Sequence, residues 1–253
     1  MPEDQQYPHY IEFRGVSKAF EQPVLIDCSF HLDSGKTLSI IGRSGVGKSV
    51  TLSHLMGFLK PDRGRVIVAH EDITDYPESE LNRIRKKVTM VFQSGALFDS
   101  LTVAENVAFP LEDQGETARN IDEVVRGLLD MVEIGQYADM YPAELSTGMK
   151  RAVAIARALA AQPEAILYDE PTTMVDPPAS EHIGDLIQRL KSQLKLTSVV
   201  VTHDLDLMRK VADDVVFLHE GHVIFFGPLD ELESSQNPHI REFLTLDRFE
   251  VPD

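Results

Sequence analysis

The sequence has one cysteine, Cys28, and no tryptophan among its 253 residues. A lone thiol cannot close an internal disulfide and gives no metal-ligand spacing, so folding must rest on burial, and a reducing compartment suits the chain. The length allows that, because a chain of this size buries a substantial core without covalent staples. Basic residues are scarce too: 24 Lys and Arg stand against 41 Asp and Glu, for a formal net charge of -17. So acidic a chain offers no broad cationic face to a phosphate backbone, which argues against nucleic acid as a partner. No apolar run approaches the roughly 18 to 20 residues that a bilayer-spanning helix requires. The acidic start, Met1-Pro2-Glu3-Asp4, lacks the basic and apolar regions of a signal peptide. A cytoplasmic chain is expected, one that reaches a membrane only by docking onto another protein. Internal repeats and low-complexity segments are absent as well.

What is present is a series of short apolar runs: Val24 to Ile26, Leu38 to Ile41, Val88 to Phe92, Ala165 to Tyr168 and Ser198 to Val201. Runs of this length read as buried strands. Helical patterns follow several of them, including Lys48 to Leu59 and Ser180 to Leu194. Alternation of that kind predicts an α/β fold with a largely parallel core sheet. Between Gln93 and Pro163 no convincing strand appears, and amphipathic stretches from Ala118 to Met131 and Thr147 to Ala161 predict an inserted helical lobe. Two β-like runs, Val215 to Leu218 and Val223 to Phe226, then precede short helices to about Leu244. The chain therefore divides into a core at 1–93 and 164–244, a helical lobe at 94–163, and a polar, loosely held tail at 245–253.

Chemistry concentrates where the apolar run Leu38 to Ile41 meets the following helix. Gly42-Arg43-Ser44-Gly45-Val46-Gly47-Lys48-Ser49 matches G-x-x-x-x-G-K-[ST] in the strand-loop-helix setting that the motif requires. Glycines let the backbone wrap closely so that its N–H groups face phosphate oxygens, and the helix start adds its positive dipole end. Lys48 is expected to reach the β- and γ-phosphates of ATP and Ser49 to help hold Mg²⁺. Asp169, at the end of the run Ala165 to Tyr168, is the expected Mg²⁺-associated acid, and Glu170 next to it the candidate for polarising water. His203 also ends an apolar run, where it could contact the γ-phosphate or orient Glu170.

About twenty residues before Asp169, the segment Leu145-Ser146-Thr147-Gly148-Met149 opens a helical pattern and resembles the L-S-G-G-Q signature of ATP-binding cassette proteins. Gln93 after a strand, Pro171 to Asp176 after the acid pair, and His203 follow in that family's order, so the resemblance covers essentially the whole chain. It implies a P-loop NTPase cassette fold: a RecA-like core with a mostly parallel sheet, an N-terminal antiparallel β part and an inserted α-helical subdomain. It also implies a head-to-tail homodimer in which Ser146 and Gly148, flanked by Thr147 and Met149, cap the γ-phosphate held by the Gly42 to Val50 segment of the other copy. Phe20 matches the aromatic that stacks on adenine, Gln93 the residue that touches metal or attacking water, and Asp176 the dimer-contact loop. Movement sensed at Gln93 would be passed to the helical lobe as a hinge or rigid-body switch.

Within the family the chain most resembles the ATPase of Mla/MCE-type lipid transporters. Gly47-Lys48-Ser49-Val50, the stretches Phe92 to Phe98, Leu101 to Val107 and Phe109 to Leu111, and Met149 carry that resemblance, since many cassette ATPases have Thr at the position of Val50 and Gln at that of Met149. It implies an integral membrane permease, an MCE-domain lipid-binding protein, phospholipid cargo, and a place at the cytoplasmic face of the inner membrane. An ATPase of a small-solute transporter would carry the same motif chemistry. A soluble cassette protein of nucleic acid, ribosomes or cluster assembly is a third reading, opposed by the acidic charge and the lone cysteine. Two departures stand out: Thr147 replaces the first signature glycine, and Met174-Val175-Asp176 replaces the common S-A-L-D ending. At a helix start φ is negative, so Thr147 is expected to be tolerated.

Overall fold

The computed structural model describes residues 7–113 and 118–246. In chain order the first half contains β1 (Ile11–Ala19), β2 (Pro23–Leu32), β3 (Thr37–Ile41), α1 (Lys48–Leu55), β4 (Arg63–Val68), β5 (Glu71–Asp72), α2 (Glu78–Lys87), β6 (Val88–Val91), α3 (Val103–Asp113) and α4 (Ala118–Met131). The second half contains α5 (Thr147–Ala160), β7 (Ala165–Asp169), α6 (Pro177–Leu194), β8 (Thr197–Val201), α7 (Leu205–Val211), β9 (Asp214–His219), β10 (His222–Pro228), α8 (Leu229–Glu233) and α9 (Pro238–Leu246).

The strands form two sheets. One is antiparallel, in the order β2-β1-β4-β5. The other runs β10-β9-β3-β8-β7-β6 and is parallel except for β10 at its edge. β3 and β8 are buried at every position, as strands covered on both faces must be. Helix α1 packs with β1 and β4 residues in one apolar cluster that includes Phe13, Leu38, Ile40, Leu52 and Val66. This layering fixes the start of α1 between the two sheets. A second cluster runs without interruption from Val91, Ile166 and Tyr168 of the sheet into Val107, Leu129 and Ile155 of the helical lobe.

The structure thus has the cassette fold, with its antiparallel part, its mostly parallel sheet and its helical insertion. Several local expectations need correction. Val24 to Ile26 is not a buried strand of the parallel sheet: it lies in the antiparallel β2, where only Leu25 of the three is buried. The helix expected to reach Leu59 stops at Leu55, because Gly57 takes a left-handed φ of 66° and its N–H turns back to the His54 carbonyl at 3.0 Å. Helix α6 begins at Pro177 rather than Ser180, since the Asp176 side chain caps it by accepting from Ala179 N at 3.0 Å and proline is at home in a first turn. Thr245, expected in the polar tail, is still helical within α9, and residues 247–253 lie outside the described residues.

Helix α3, unread in the sequence, is organised by one buried amide. The Asn106 side chain accepts from Phe98 N at 2.9 Å and donates to the carbonyls of Phe98, Leu101 and Thr102 at 3.1, 3.0 and 2.9 Å. No helix of the described residues is long and apolar enough to cross a membrane.

Candidate nucleotide site

The chain leaves β3 on a loop that only glycine can make. A side chain on Gly42 would fall 2.3 Å from the Leu218 carbonyl, and one on Gly47, at φ 107°, would fall 2.7 Å from Leu25 Cδ2. Gly45, at φ 81°, faces open space with nothing within 4 Å. Among the described residues no group accepts a hydrogen bond from the backbone N–H of Gly45, Val46, Gly47 or Lys48. A row of open donors at a helix start is an anion site.

Lys48 is buried, and its Nζ donates to the Gly42 and Arg43 carbonyls at 2.8 and 3.3 Å while lying 3.4 Å from Glu170 Oε1. Its ammonium therefore points into the loop among oxygens, the kind of acceptor a phosphate supplies. Arg43 contributes its carbonyl here, whereas its side chain turns away to Glu242 of α9 at 2.6 Å. Val46 and Val50 are half-buried and pack on the cluster beneath the loop.

From β7 comes the acid pair. Asp169 Oδ1 accepts from Ser49 Oγ at 3.1 Å. Burial pushes the Asp169 carboxyl above its ordinary value, against the opposing pull of Ser49. Hydroxyl and carboxylate together make the hard-oxygen donor set that Mg²⁺ takes beside substrate phosphates. Glu170 leaves the strand with a left-handed φ of 48°, a strain of about 1–3 kcal/mol for a side chain with a Cβ. That conformation turns its carboxylate into the site. Oε2 accepts from His203 Nδ1 at 2.8 Å, from Thr173 Oγ1 at 3.2 Å and from His203 N at 3.3 Å. These contacts hold the Glu170 carboxyl against the His203 ring and backbone.

Lys48, Ser49, Gln93, Glu170 and His203 line one cavity of about 520 Å³, together with Ser44, Gly45, Gly47 and Val50. Thr173 and Val24 belong to it as well and were missed in the sequence. Thr173 sits within the Pro171 to Asp176 segment that the sequence did mark, whereas Val24, on β2 of the other sheet, carried no signal. A neighbouring cavity of about 730 Å³ shares Thr173 and His203 and is rimmed by Met174, which is 88% exposed.

The remaining candidates lie apart from this cavity. Phe20 is exposed beyond the end of β1, with Lys18 Nζ 5.8 Å from its ring centre. Ser146 caps α5 by accepting from Met149 N at 3.2 Å, and Thr147 opens that helix with negative φ. Gly148 lets α5 approach α6, since a Cβ there would meet the Ala179 Cβ at 2.8 Å. Asp176 is occupied as the cap of α6.

Residues 25–173 match the family model described as ABC transporter. The methionine import ATP-binding protein MetN 1 of Pseudomonas fluorescens is 38% identical over 94% of this chain and 73% of its own length. A probable ribonucleotide transport ATP-binding protein, mkl, of Mycobacterium leprae is 35% identical over 92% of this chain and 68% of its own. Among solved structures, a post-hydrolysis dimer of the cassette MJ0796 bound to ADP and Pi superposes with a TM-score of 0.79 at 32% identity, covering 87% of this chain and 98% of that one. CbiO1 of Clostridium perfringens, part of the complex cbiONQ, gives 0.84 at 27% identity, covering 95% and 97%. With a phosphate loop, Glu170 and His203 lining one cavity, with Asp169 held to Ser49 beside it, and with these likenesses along nearly its whole length, the chain belongs to the ABC transporter family as an ATP-binding, ATP-hydrolysing subunit that uses Mg²⁺.

Proposed function

We propose that two copies of the chain close head to tail over two Mg·ATP and, on hydrolysis, drive a membrane permease that moves phospholipid together with an MCE-domain lipid-binding protein, at the cytoplasmic face of the inner membrane. The observation that carries the pairing is the separation of the signature from the cavity: Ser146, Thr147, Gly148 and Met149 stand at the start of α5 and none of them lines it. That helix start, exposed and offering N–H groups, needs an anion that its own cradle is poorly placed to present.

Within each half-site the backbone of Gly42 to Lys48 and the Lys48 ammonium hold the phosphates, Arg43 and Val46 shape the loop, and Phe20 stacks on adenine. Ser49 and Asp169, with Gln93, would hold Mg²⁺, which would supply positive charge to offset that of the phosphates. With Oε2 of Glu170 occupied by His203 and Thr173, Oε1 is the oxygen that would orient water once the Lys48 ammonium, 3.4 Å from it, turns to phosphate. Asp176 and its loop lie at the contact between copies. The permease docks on the shoulder where Phe98 and Phe109, both exposed with ring centres 4.7 Å apart, stand beside Met90, Pro110 and Ala158 in an open apolar groove.

Phospholipid is supported by Val50, Met149 and the Phe92 to Leu111 wording. A small-solute cargo is the second reading, favoured by relatives named for methionine import. Gentle detergent extraction of the tagged chain from its native membranes, with identification of bound proteins and lipids, separates the two. A permease with an MCE-domain protein and phospholipid is expected. Recovery of an amino-acid permease instead leaves the ATPase and removes the lipid.

A further inference from the structure

Two arginines of α5, Arg151 buried in the lobe and Arg157 half-buried at the edge of the apolar groove, have no carboxylate partner among the described residues. Arg151 is 4% exposed, and its Nε is buried without a hydrogen-bond partner. Arg157 is half-buried. Burial pulls both guanidinium pKa values down. Unneutralised buried charge is costly, and a helix that needed only to fill the lobe would be better served by apolar side chains.

Both guanidinium groups are directed at a single turn. Arg151 Nη1 donates to the Phe92 carbonyl at 3.4 Å, and Arg157 Nη2 donates to the Gly95 carbonyl at 3.1 Å. The turn itself is closed by Gly95 N donating to Phe92 O at 2.8 Å, and it exits through two left-handed residues, Gly95 at φ 77° and Ala96 at φ 47°. The Arg157 guanidinium also lies 5.6 Å from the centre of the Phe98 ring, which fixes the chain just beyond the turn. Gln93 is the second residue of this turn and lines the nucleotide cavity. The signature cap Ser146 opens the same helix that supplies the arginines.

We propose that Arg157, assisted by Arg151, is a positioning residue that fastens the Phe92 to Gly95 turn to α5, so that Gln93 at the nucleotide and the signature at the start of α5 move as one body. The proposal rests on the reading of Gln93 given under the proposed function. Charge-assisted bonds from a planar, rigid donor to two carbonyls of one turn hold it more firmly than neutral donors would.

The test is a mutant cycle on the full chain. Arg157→Met keeps the volume and removes a half-buried charge that has no carboxylate partner among the described residues, so its melting temperature should hold or rise. ATP affinity should stay within about twofold, because the cradle between β3 and α1 is untouched, while kcat falls about tenfold through misplacement of Gln93. Arg157→Lys, which keeps a charged donor, should recover most of that loss. In a Gln93→Ala background, Arg157→Met should cost nothing further. Unchanged kcat in Arg157→Met overturns the proposal. So does the same tenfold loss appearing on top of a defective Gln93→Ala, which would mark Arg157 as structural. Gln93→Ala with wild-type turnover overturns the reading of Gln93 itself, and the clamp with it.

Discussion

The acid pair is held by residues that the sequence places far away, Asp169 by Ser49 and Glu170 by His203. Glu170 is the clearest case, since its backbone is left-handed, three donors reach Oε2, and Lys48 Nζ lies 3.4 Å from Oε1. Glu170→Gln keeps the shape and one carbonyl acceptor but loses the basicity that polarises water. Turnover should fall by about 10²–10⁴-fold while ATP binding persists, and single-turnover hydrolysis against nucleotide-binding assays checks this. Wild-type hydrolysis in that variant removes Glu170 from the mechanism. The carboxylate pair and His203 were legible in sequence because each ends an apolar run, and strand ends converge in a parallel sheet, while Lys48 was legible from the glycine-rich motif that follows such a run. Thr173 was not, because its contribution depends on how the Pro171 to Asp176 loop folds back, which no local pattern encodes. Asp176 shows the limit from the other side: its position matched a motif, and its visible work is capping α6.

Among the elements, the parallel strands and the long lobe helices were read nearly to the residue, because continuous apolar burial and 3.6-residue periodicity are strong signals. The antiparallel sheet was expected only as a part, with β1, β4 and β5 unplaced. Its strands are half-exposed and interrupted by bulges, as in the register shifts of β1 against both neighbours, so period-two alternation is blurred. Helix ends were misjudged where the stop or start lay in one residue, Gly57 for α1 and Asp176 for α6. Helix α3 depends on a tertiary device, the buried Asn106 amide that ties down the preceding loop. Asn106→Ala should destabilise the fold by about 2–4 kcal/mol, since a buried N–H and carbonyls around it lose their partner. Denaturant unfolding measures this, and a change below about 0.5 kcal/mol would show that water replaces the amide at no cost.

For the whole molecule, a cavity that lacks its signature predicts that turnover depends on encounter between copies. The specific ATPase rate of the isolated chain should rise with its concentration and level off once pairs dominate. A constant specific rate from a chain that sediments as a monomer would show that one copy suffices. The continuous cluster joining Val91, Ile166 and Tyr168 to Val107, Leu129 and Ile155 bears on what such a pair can deliver. Interdigitated side chains across that cluster favour sliding, on the order of 1–2 Å at a packed helix, over a free swing of the lobe. The engine is therefore geared low. Its stroke is short and stiff, and the long excursion that carries cargo must be made by levers in the permease.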